Sequence, residues 1–446
     1  MLCEKARIVF PFYFFMEYMN TARLRCHFPN RQRLFLDIDY TEMFKTGEIK
    51  MSHDHDKRIV YADNAATTSV HPRVLARMLP LMGEVYGNPS SLHSKGREAK
   101  TYIDAAREKV AKALSCDAKE IYFTGCGSES DNWAIKGAVQ NYLERNKTDK
   151  CHIVTTKIEH HAVLHTCKAL EKKGIEVTYV DVDENATVNP DDVVAAIKEN
   201  TALVAVMFAN NEVGTIQPIK EITRRVKEIN PKILVFTDAV QAVGHIPVDA
   251  HDLGVDMLAF SGHKFRAPKG VGGLYIKSGV VCKSLIEGGG QEKGKRGGTE
   301  NMPGIVGMGE AIEIACEEMK DDNARLAVLR DDLIRRLLEL PHSRLTGHPT
   351  KRLPGTASFT FEYIEGESLL LMLDMMGICA STGSACSSKS LEPSHVLLAM
   401  GLPHEIAHGS LRLTLSHETT KEDVDYIVEC VTKVVNRLRE ISPLGR

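Results

Sequence analysis

A lysine that leaves a strand into a glycine-rich loop is a candidate for carbonyl chemistry. Lys264 does so in Ser261–Gly270 (SGHKFRAPKG), directly after the strand-like DMLAF. Its amine can condense with a carbonyl to a Schiff base, although a lone lysine in such a loop is ordinarily a surface residue. Three companions change that reading: an acid, an anion cradle and a stacking group. Asp238 ends the apolar run ILVFTDA, where a carboxylate can keep a pyridine nitrogen protonated; alone, it reads as a turn or cap aspartate. Gln241 follows closely and can hydrogen-bond a ring hydroxyl. In Phe123–Asn132 (FTGCGSESDN) a strand runs into a Gly-x-Gly turn and Ser128 opens a helix. Backbone N–H groups around Gly127 and the Ser128 hydroxyl then form a phosphate site, although glycine turns into helices are common. Ser261 and His263 can complete that cradle from the lysine loop. His160, in KIEHHAVLHTC, can stack on a ring and relay protons; singly, it reads as a polar histidine at a helix start. Asn211, in FANNEVGT, brings an amide to another strand end. Strand-end features of these kinds fit one cofactor, pyridoxal 5'-phosphate (PLP), better than a set of unrelated coincidences.

Two further residues point to the substrate. Cys386 sits in Ala380–His395 (ASTGSACSSKSLEPSH), among small and polar residues that make an exposed loop. A cysteine is ordinarily a buried small hydrophobe, but a nucleophilic thiol has to be accessible and able to lose its proton. Arg412 is a single arginine in the apolar SLRLTLS. Such an arginine needs a carboxylate, supplied either by a structural salt bridge or by the α-carboxylate of a substrate.

The elements that position these residues alternate. Helix-period segments at Ala99–Leu114, Asp131–Leu143, Val163–Lys173, Pro190–Glu199 and Ile219–Ile229 separate short β-branched runs. Those runs are Glu120–Thr124, His152–Thr156, Val177–Val180, Leu203–Phe208, Ile233–Thr237 and Met257–Phe260. This is an α/β pattern: a mostly parallel sheet with helices on both faces, binding ligands beyond the carboxyl ends of its strands. After a helix within Gly304–Leu340 the pattern changes to strand (Ala357–Glu362), helix (Ser368–Met376), strand (Gly409–Leu415) and helix (Asp423–Leu438). The expected organisation is a large ligand-binding domain over 64–315, with 51–63 and 316–446 forming a smaller α+β domain that carries the cysteine loop. Residues 1–50 differ in pattern, and Met51 opens a segment that reads as a natural start, so 1–50 is expected to be a non-native or weakly ordered extension.

The chain has 446 residues and is 43% apolar, enough for a large core in two or three domains. A net charge of −3 with interspersed signs argues against a nucleic-acid partner. Its eleven cysteines show neither a disulfide framework nor a CxxC pair, and they lie in apparently buried segments. Free thiols in a reducing compartment, with Cys386 standing out as the exposed one, and no metal site are the expectation. No apolar run spans a bilayer, so no membrane partner is expected. Ile8–Met16 is short and holds Pro11, against a signal peptide, while Glu4, Glu17, Asp37, Asp39 and Glu42 argue against a transit peptide. A cytoplasmic location follows.

Over about Val60 to Arg437 the sequence resembles the NifS/IscS-type cysteine desulfurases, which belong to the class V aminotransferase family with the PLP fold type I. The ordered stretches YADNAATT, YGNPSSLHSKG, FTGCGSESDN, EHHAVL, NNEVGTIQP, TDAVQAVGHIPVD, SGHKFRAPKG, KRGGTEN, STGSACSSKSLEPSHVL and LRLTLS carry the resemblance. It implies covalent attachment of PLP at Lys264, ring stacking by His160, and Asp238 facing the pyridine nitrogen. Asn211 and Gln241 fall near the ring hydroxyl, and Gly127, Ser128, Ser261 and His263 at the phosphate. Thr299 matches a residue that reaches the phosphate from the other subunit, which implies a homodimer. Arg412 matches the arginine that holds the substrate carboxylate, and Cys386 the cysteine that bears a persulfide. The implied activity is sulfur removal from L-cysteine, giving L-alanine, with sulfur transfer to an acceptor protein such as an iron–sulfur scaffold, for iron–sulfur cluster assembly or tRNA thiolation. Selenocysteine lyase or a PLP aminotransferase of the same fold is the alternative. The long GSACSS loop is similar to the group with a mobile cysteine arm. Three positions depart from the pattern: Cys126 in the phosphate turn, Ser128 for threonine, and Ala267 for glycine.

Overall fold

The structure, a computed structural model, describes residues 58–383 and 393–442, and the backbone of 22–27 and 33–38. The chain divides into two units, Met1–Arg58 and Ile59–Arg446. In the first, β1 (Ala22–His27) pairs antiparallel with β2 (Arg33–Ile38). The rest of the expected 1–50 extension lies outside the described residues.

The second unit is built on a seven-stranded sheet. Its strands are β4 (Ile121–Thr124), β5 (His152–Thr156), β6 (Glu176–Val180), β7 (Thr201–Ala205), β8 (Leu234–Asp238), β9 (Met257–Ser261) and β10 (Gly272–Ile276), in the order β4-β10-β9-β8-β7-β5-β6. All neighbours are parallel except those of β10, which runs antiparallel between β4 and β9. The alternating pattern is therefore met by an α/β layer structure. The sequence reading missed β10, which follows β9 after a turn with no helical segment to mark it.

The strands are short apolar runs because both faces are covered. β5, β7, β9 and β10 are buried at every position. On one side lie α1 (Pro72–Met78), α2 (Ser94–Ala113), α5 (Ile219–Ile229) and the start of α6 (Met302–Leu337), with Val74, Val110, Val226 and Met308 in one core. On the other, α3 (Gly127–Asn146) and α4 (His161–Glu171) bury Trp133, Ile135, Val163 and Cys167. Several expected elements differ in extent: α2 starts at Ser94 rather than Ala99 and α3 at Gly127 rather than Asp131. Helix Pro190–Ala195 stops before Glu199. Strand β7 ends at Ala205 rather than Phe208: Val206 N and Phe208 N still donate to the β8 side, at Phe236 O and Asp238 O, but Met207 N donates to the Glu159 carboxylate instead of a neighbouring strand.

A separate core lies under a three-stranded antiparallel sheet of β11 (Ser343–Leu345), β12 (Thr356–Phe361) and β14 (Ser410–Thr414). Here α7 (Gly366–Met375), α9 (Lys421–Ile441) and the end of α6 pack, with Leu333, Phe359, Leu413 and Val431 fully buried. Val60 and Ala62 join this core, where β3 (Val60–Tyr61) pairs parallel with β13 (Ile378–Cys379). The segment after β3 then returns to the large sheet.

One loop is tied down by buried charge. Arg107 of α2 makes two bonds of 2.8 Å to the Glu292 carboxylate, which also accepts Phe123 N at 3.0 Å. Glu292 and its neighbour Lys293 adopt left-handed backbone (φ 44° and 60°), so the pair holds a conformation that non-glycine residues avoid. Replacing Glu292 by alanine leaves Arg107 an unpaired buried cation, and chemical denaturation is expected to register a loss of about 3–5 kcal/mol.

Candidate active site

The carboxyl ends of β4, β5, β7, β8 and β9 deliver polar groups to one cavity of about 330 Å³, in the range of small-ligand sites. Strand β4 leads through Gly125 and Cys126 into α3, whose first residue is Gly127. A methyl group on Gly127 would come within 2.8 Å of Val240 and 3.4 Å of Ser261, so this helix start approaches the neighbouring strand ends closely. Glu129 in the first turn accepts Gly125 N at 2.8 Å and pairs with Arg296 at 2.9 Å, which braces the turn. Ser128, Ser261 and His263 line the same end of the cavity, with His263 Nδ1 3.1 Å from Thr67 Oγ1.

Strand β5 leads to His160, the N-cap of α4, whose Nδ1 accepts Ala162 N at 3.2 Å. That bond leaves Nδ1 unprotonated, and burial together with the Lys264 charge pushes the imidazole down to about 4, so it is neutral near pH 7. Strand β8 ends on Asp238, whose Oδ1 accepts Val240 N at 2.9 Å. Burial raises its pKa to about 6, against the opposing pull of that bond and of Lys264. After β9, the Lys264 Nζ donates to Ala65 O (2.7 Å) and Ala66 O (2.9 Å), and Gln241 Nε2 also donates to Ala65 O (3.0 Å). The carbonyls of the YADNAATT segment thus hold the amine and the amide side by side.

Arg412 reaches the cavity from β14 of the smaller sheet and is only 3% exposed. Its Nη2 pairs with Asp63 Oδ1 at 2.8 Å and its Nη1 donates to Asn211 O at 2.9 Å, while Nε is buried without a hydrogen-bond partner. The structural salt bridge considered for this arginine is therefore real, and the residue lines the cavity as well. Asn211 lines it too.

Two expected site residues are not among the described residues that line this cavity. Thr299 is exposed and does not line the cavity. Cys386 falls in 384–392, outside the described residues, but Gly383 and His395 on either side both line the cavity. The cysteines are less uniformly buried than the sequence suggested. Cys126 and Cys316 are exposed, and Cys126 faces the cavity, so Cys386 is not distinguished by exposure alone.

Sequence reading missed four acids. Asp131 lies one helical turn after Ser128, a spacing that could have placed it on the same face of α3. Its Oδ1 is buried without a hydrogen-bond partner, and one ligand atom from each of Asp131, His160 and Asp238 falls within 4.8 Å of the others. Burial, reinforced by the charges of Asp238 and Glu159, drives the Asp131 carboxyl well above the usual range. Glu159 accepts Thr156 Oγ1 (2.7 Å) and Met207 N (2.9 Å) through one oxygen, and burial lifts its pKa to about 8. The others are Asp63, beside Arg412, and Glu212, which burial lifts to about 7. Raised carboxyl pKa values mean that the folded state holds protons which the unfolded chain releases. The Glu159 contribution is thus fully present below about pH 4.5 and is lost as pH rises towards 8. Glu159→Gln keeps the accepting oxygen and is expected to flatten the decline of stability across this window by at least about 1 kcal/mol, read as denaturation midpoints at several pH values.

Comparison with known proteins gives the family. The family model "Aminotransferase class-V" matches residues 60–427. Cysteine desulfurase IscS from Methanosarcina thermophila is 54% identical over 389 residues, covering 87% of this chain and 95% of that protein. Cysteine desulfurase IscS from Clostridium botulinum is 54% identical over 388 residues, covering 86% and 96%. Among solved structures, a NifS-like protein superposes with a TM-score of 0.80 at 43% identity, covering 85% of this chain and all of that one. By the family model and these relatives, the chain belongs to the class V aminotransferase family, among the cysteine desulfurases.

Proposed function

We propose that this chain takes sulfur from L-cysteine, releasing L-alanine, with PLP held at Lys264 and the sulfur received as a persulfide on Cys386. The observation that carries the reading is convergence: Lys264, Asp238, His160 and Arg412 come from separate elements onto one cavity, and the Cys386 segment leaves and rejoins the described chain at its edge.

The residues suit the cofactor. The orphaned Asp131 oxygen and the raised Asp238 carboxyl form a buried acidic wall that a protonated ring nitrogen would satisfy. The cavity also offers the N–H groups at the start of α3 and the hydroxyls of Ser128 and Ser261, a donor set suited to phosphate. The Lys264 amine lines the same cavity, with Gln241 sharing its Ala65 carbonyl, and Asn211 and Gln241 are available for a ring hydroxyl.

Bound PLP supplies an electron sink for the substrate α-carbon. Arg412, held by Asp63 and Asn211 O, receives the substrate carboxylate on its remaining N–H groups. The Lys264 amine, once free of its carbonyl partners, moves the α-proton. Neutral His160, with its Nδ1 accepting Ala162 N and its proton therefore on Nε2, donates that proton in the thiol steps. The Cys386 thiolate attacks the substrate sulfur. An S–S bond forms as the C–S bond breaks, the bonding pair stays with the carbon fragment, and protonation completes alanine.

Thr299 is exposed on the loop pinned by Glu292 and Arg296, which supports its use by a second copy in a homodimer. The persulfide passes to an acceptor protein for iron–sulfur cluster assembly or tRNA thiolation. The eight described cysteines are all free thiols, which supports a reducing, cytoplasmic setting. Among the described residues no helix is long and apolar enough to cross a membrane.

Purified protein given cysteine and a thiol reductant is expected to produce alanine and sulfide. Lys264→Ala is expected to lose the visible absorbance of the bound cofactor. Cys386→Ala keeps that absorbance and loses sulfide release; undiminished sulfide from Cys386→Ala would overturn the persulfide assignment. Asp63→Asn, which removes the charge opposing Arg412, is expected to raise the KM for cysteine about tenfold, read from steady-state alanine formation.

A further inference from the structure

We infer that Glu212 is a positioning residue for sulfur transfer, setting the base of the segment that carries Cys386; the inference rests on the role proposed for that cysteine. Glu212 is 3% exposed and lines the cavity, yet it holds no place among the cofactor groups described above. Its Oε2 accepts the hydroxyl of Ser394, which is equally buried. The Ser394 hydroxyl is fully used. It caps α8 (His395–Ala399) by accepting Val396 N at 3.1 Å and Leu397 N at 3.3 Å, so its own proton has only Glu212 to go to. On the other side of the segment, Gly383 packs against the same carboxylate. A methyl group there would lie 2.6 Å from Glu212 Oε2 and 3.1 Å from the Ser394 Cβ. The two described ends of the cysteine segment therefore meet over one carboxylate.

The backbone that bears that carboxylate is itself tied down. Asn210, fully buried, accepts Glu212 N (2.8 Å) and Val213 N (3.0 Å) through its side-chain oxygen, and donates to Ile158 O at 3.0 Å. The adjoining Asn211 carbonyl receives Arg412 Nη1, and the Arg412 backbone pairs with Ser381, two residues before Gly383. Loop base and substrate arginine thus share one hydrogen-bonded frame. Because group transfer is steep in the approach of the reacting atoms, displacing the loop base lowers the rate of the sulfur step without altering how cysteine or the cofactor is bound.

The test uses the holoenzyme. Glu212→Ala and Ser394→Ala are each expected to lower kcat for alanine formation about tenfold or more, with the KM for cysteine and the cofactor spectrum unchanged. Glu212→Gln keeps an acceptor for the Ser394 hydroxyl and is expected to restore most of the rate. The double alanine variant should be no slower than either single one, since both break the same bond. The rate at which iodoacetamide alkylates Cys386, followed by peptide mass, should change in step with kcat. If Glu212→Ala does not fold, Ser394→Ala carries the test. Wild-type kcat in the folded variants overturns the inference, as does a loss of cofactor absorbance or a rise in KM that accounts for the whole effect. Cys386→Ala that still forms alanine at the wild-type rate would instead sink the role of the cysteine; Cys386→Ala inactive with Glu212→Ala fully active would sink only the role of Glu212.

Discussion

Charge buried at the carboxyl edge of the seven-stranded sheet is the constraint on which the rest of this molecule depends. Asp131, Glu159 and Asp238 are removed from water where strands and helices end, and each carboxyl is pushed upward by that burial. A fold tolerates such groups only when hydrogen bonds, cations or a bound partner answer them. Here backbone donors answer part of the demand, Lys264 opposes the Asp238 charge, and the orphaned Asp131 oxygen leaves part of it open. A buried acid with an unsatisfied oxygen in a cavity that a lysine also lines marks a place suited to a ligand rather than to stability.

The second constraint is connection between two cores. The segment from Val60 to Thr68 starts in the core under the three-stranded sheet and ends against the lysine loop. Along it, Asp63 holds Arg412, Ala65 and Ala66 hold Lys264, and Thr67 meets His263. Nine residues thus link Arg412 and Lys264, cavity-lining groups that come from different sheets. A small shift between the two cores changes the distance from Arg412 to Lys264, so docking of the sheets is itself part of the chemistry.

Much of the site was legible in one dimension because strand ends are easy to find. Apolar β-branched runs stop abruptly, and the next polar residue lies at the sheet edge. That rule located Asp238, His160, Ser128, Ser261 and Lys264, all of which line the cavity. It failed for groups whose role depends on a partner from elsewhere. Asp63 and Glu212 stand in ordinary polar stretches, and only the approach of Arg412 and Ser394 gives them a function. Strand β10 escaped for a related reason: an antiparallel insertion has no helix before it, so no change of period announces it.

The sequence by itself determined the fold class, the family and most of the polar residues that line the cavity, because local periodicity and strand termini are written in neighbouring positions. What only the tertiary structure decided was how far each group is desolvated and which partner it meets. Those properties come from contacts between residues as distant as Asp63 and Arg412, and no local pattern records them. Lys264 was recognisable as a lysine in the right loop; that its amine is held by two carbonyls from a segment of the other core was not.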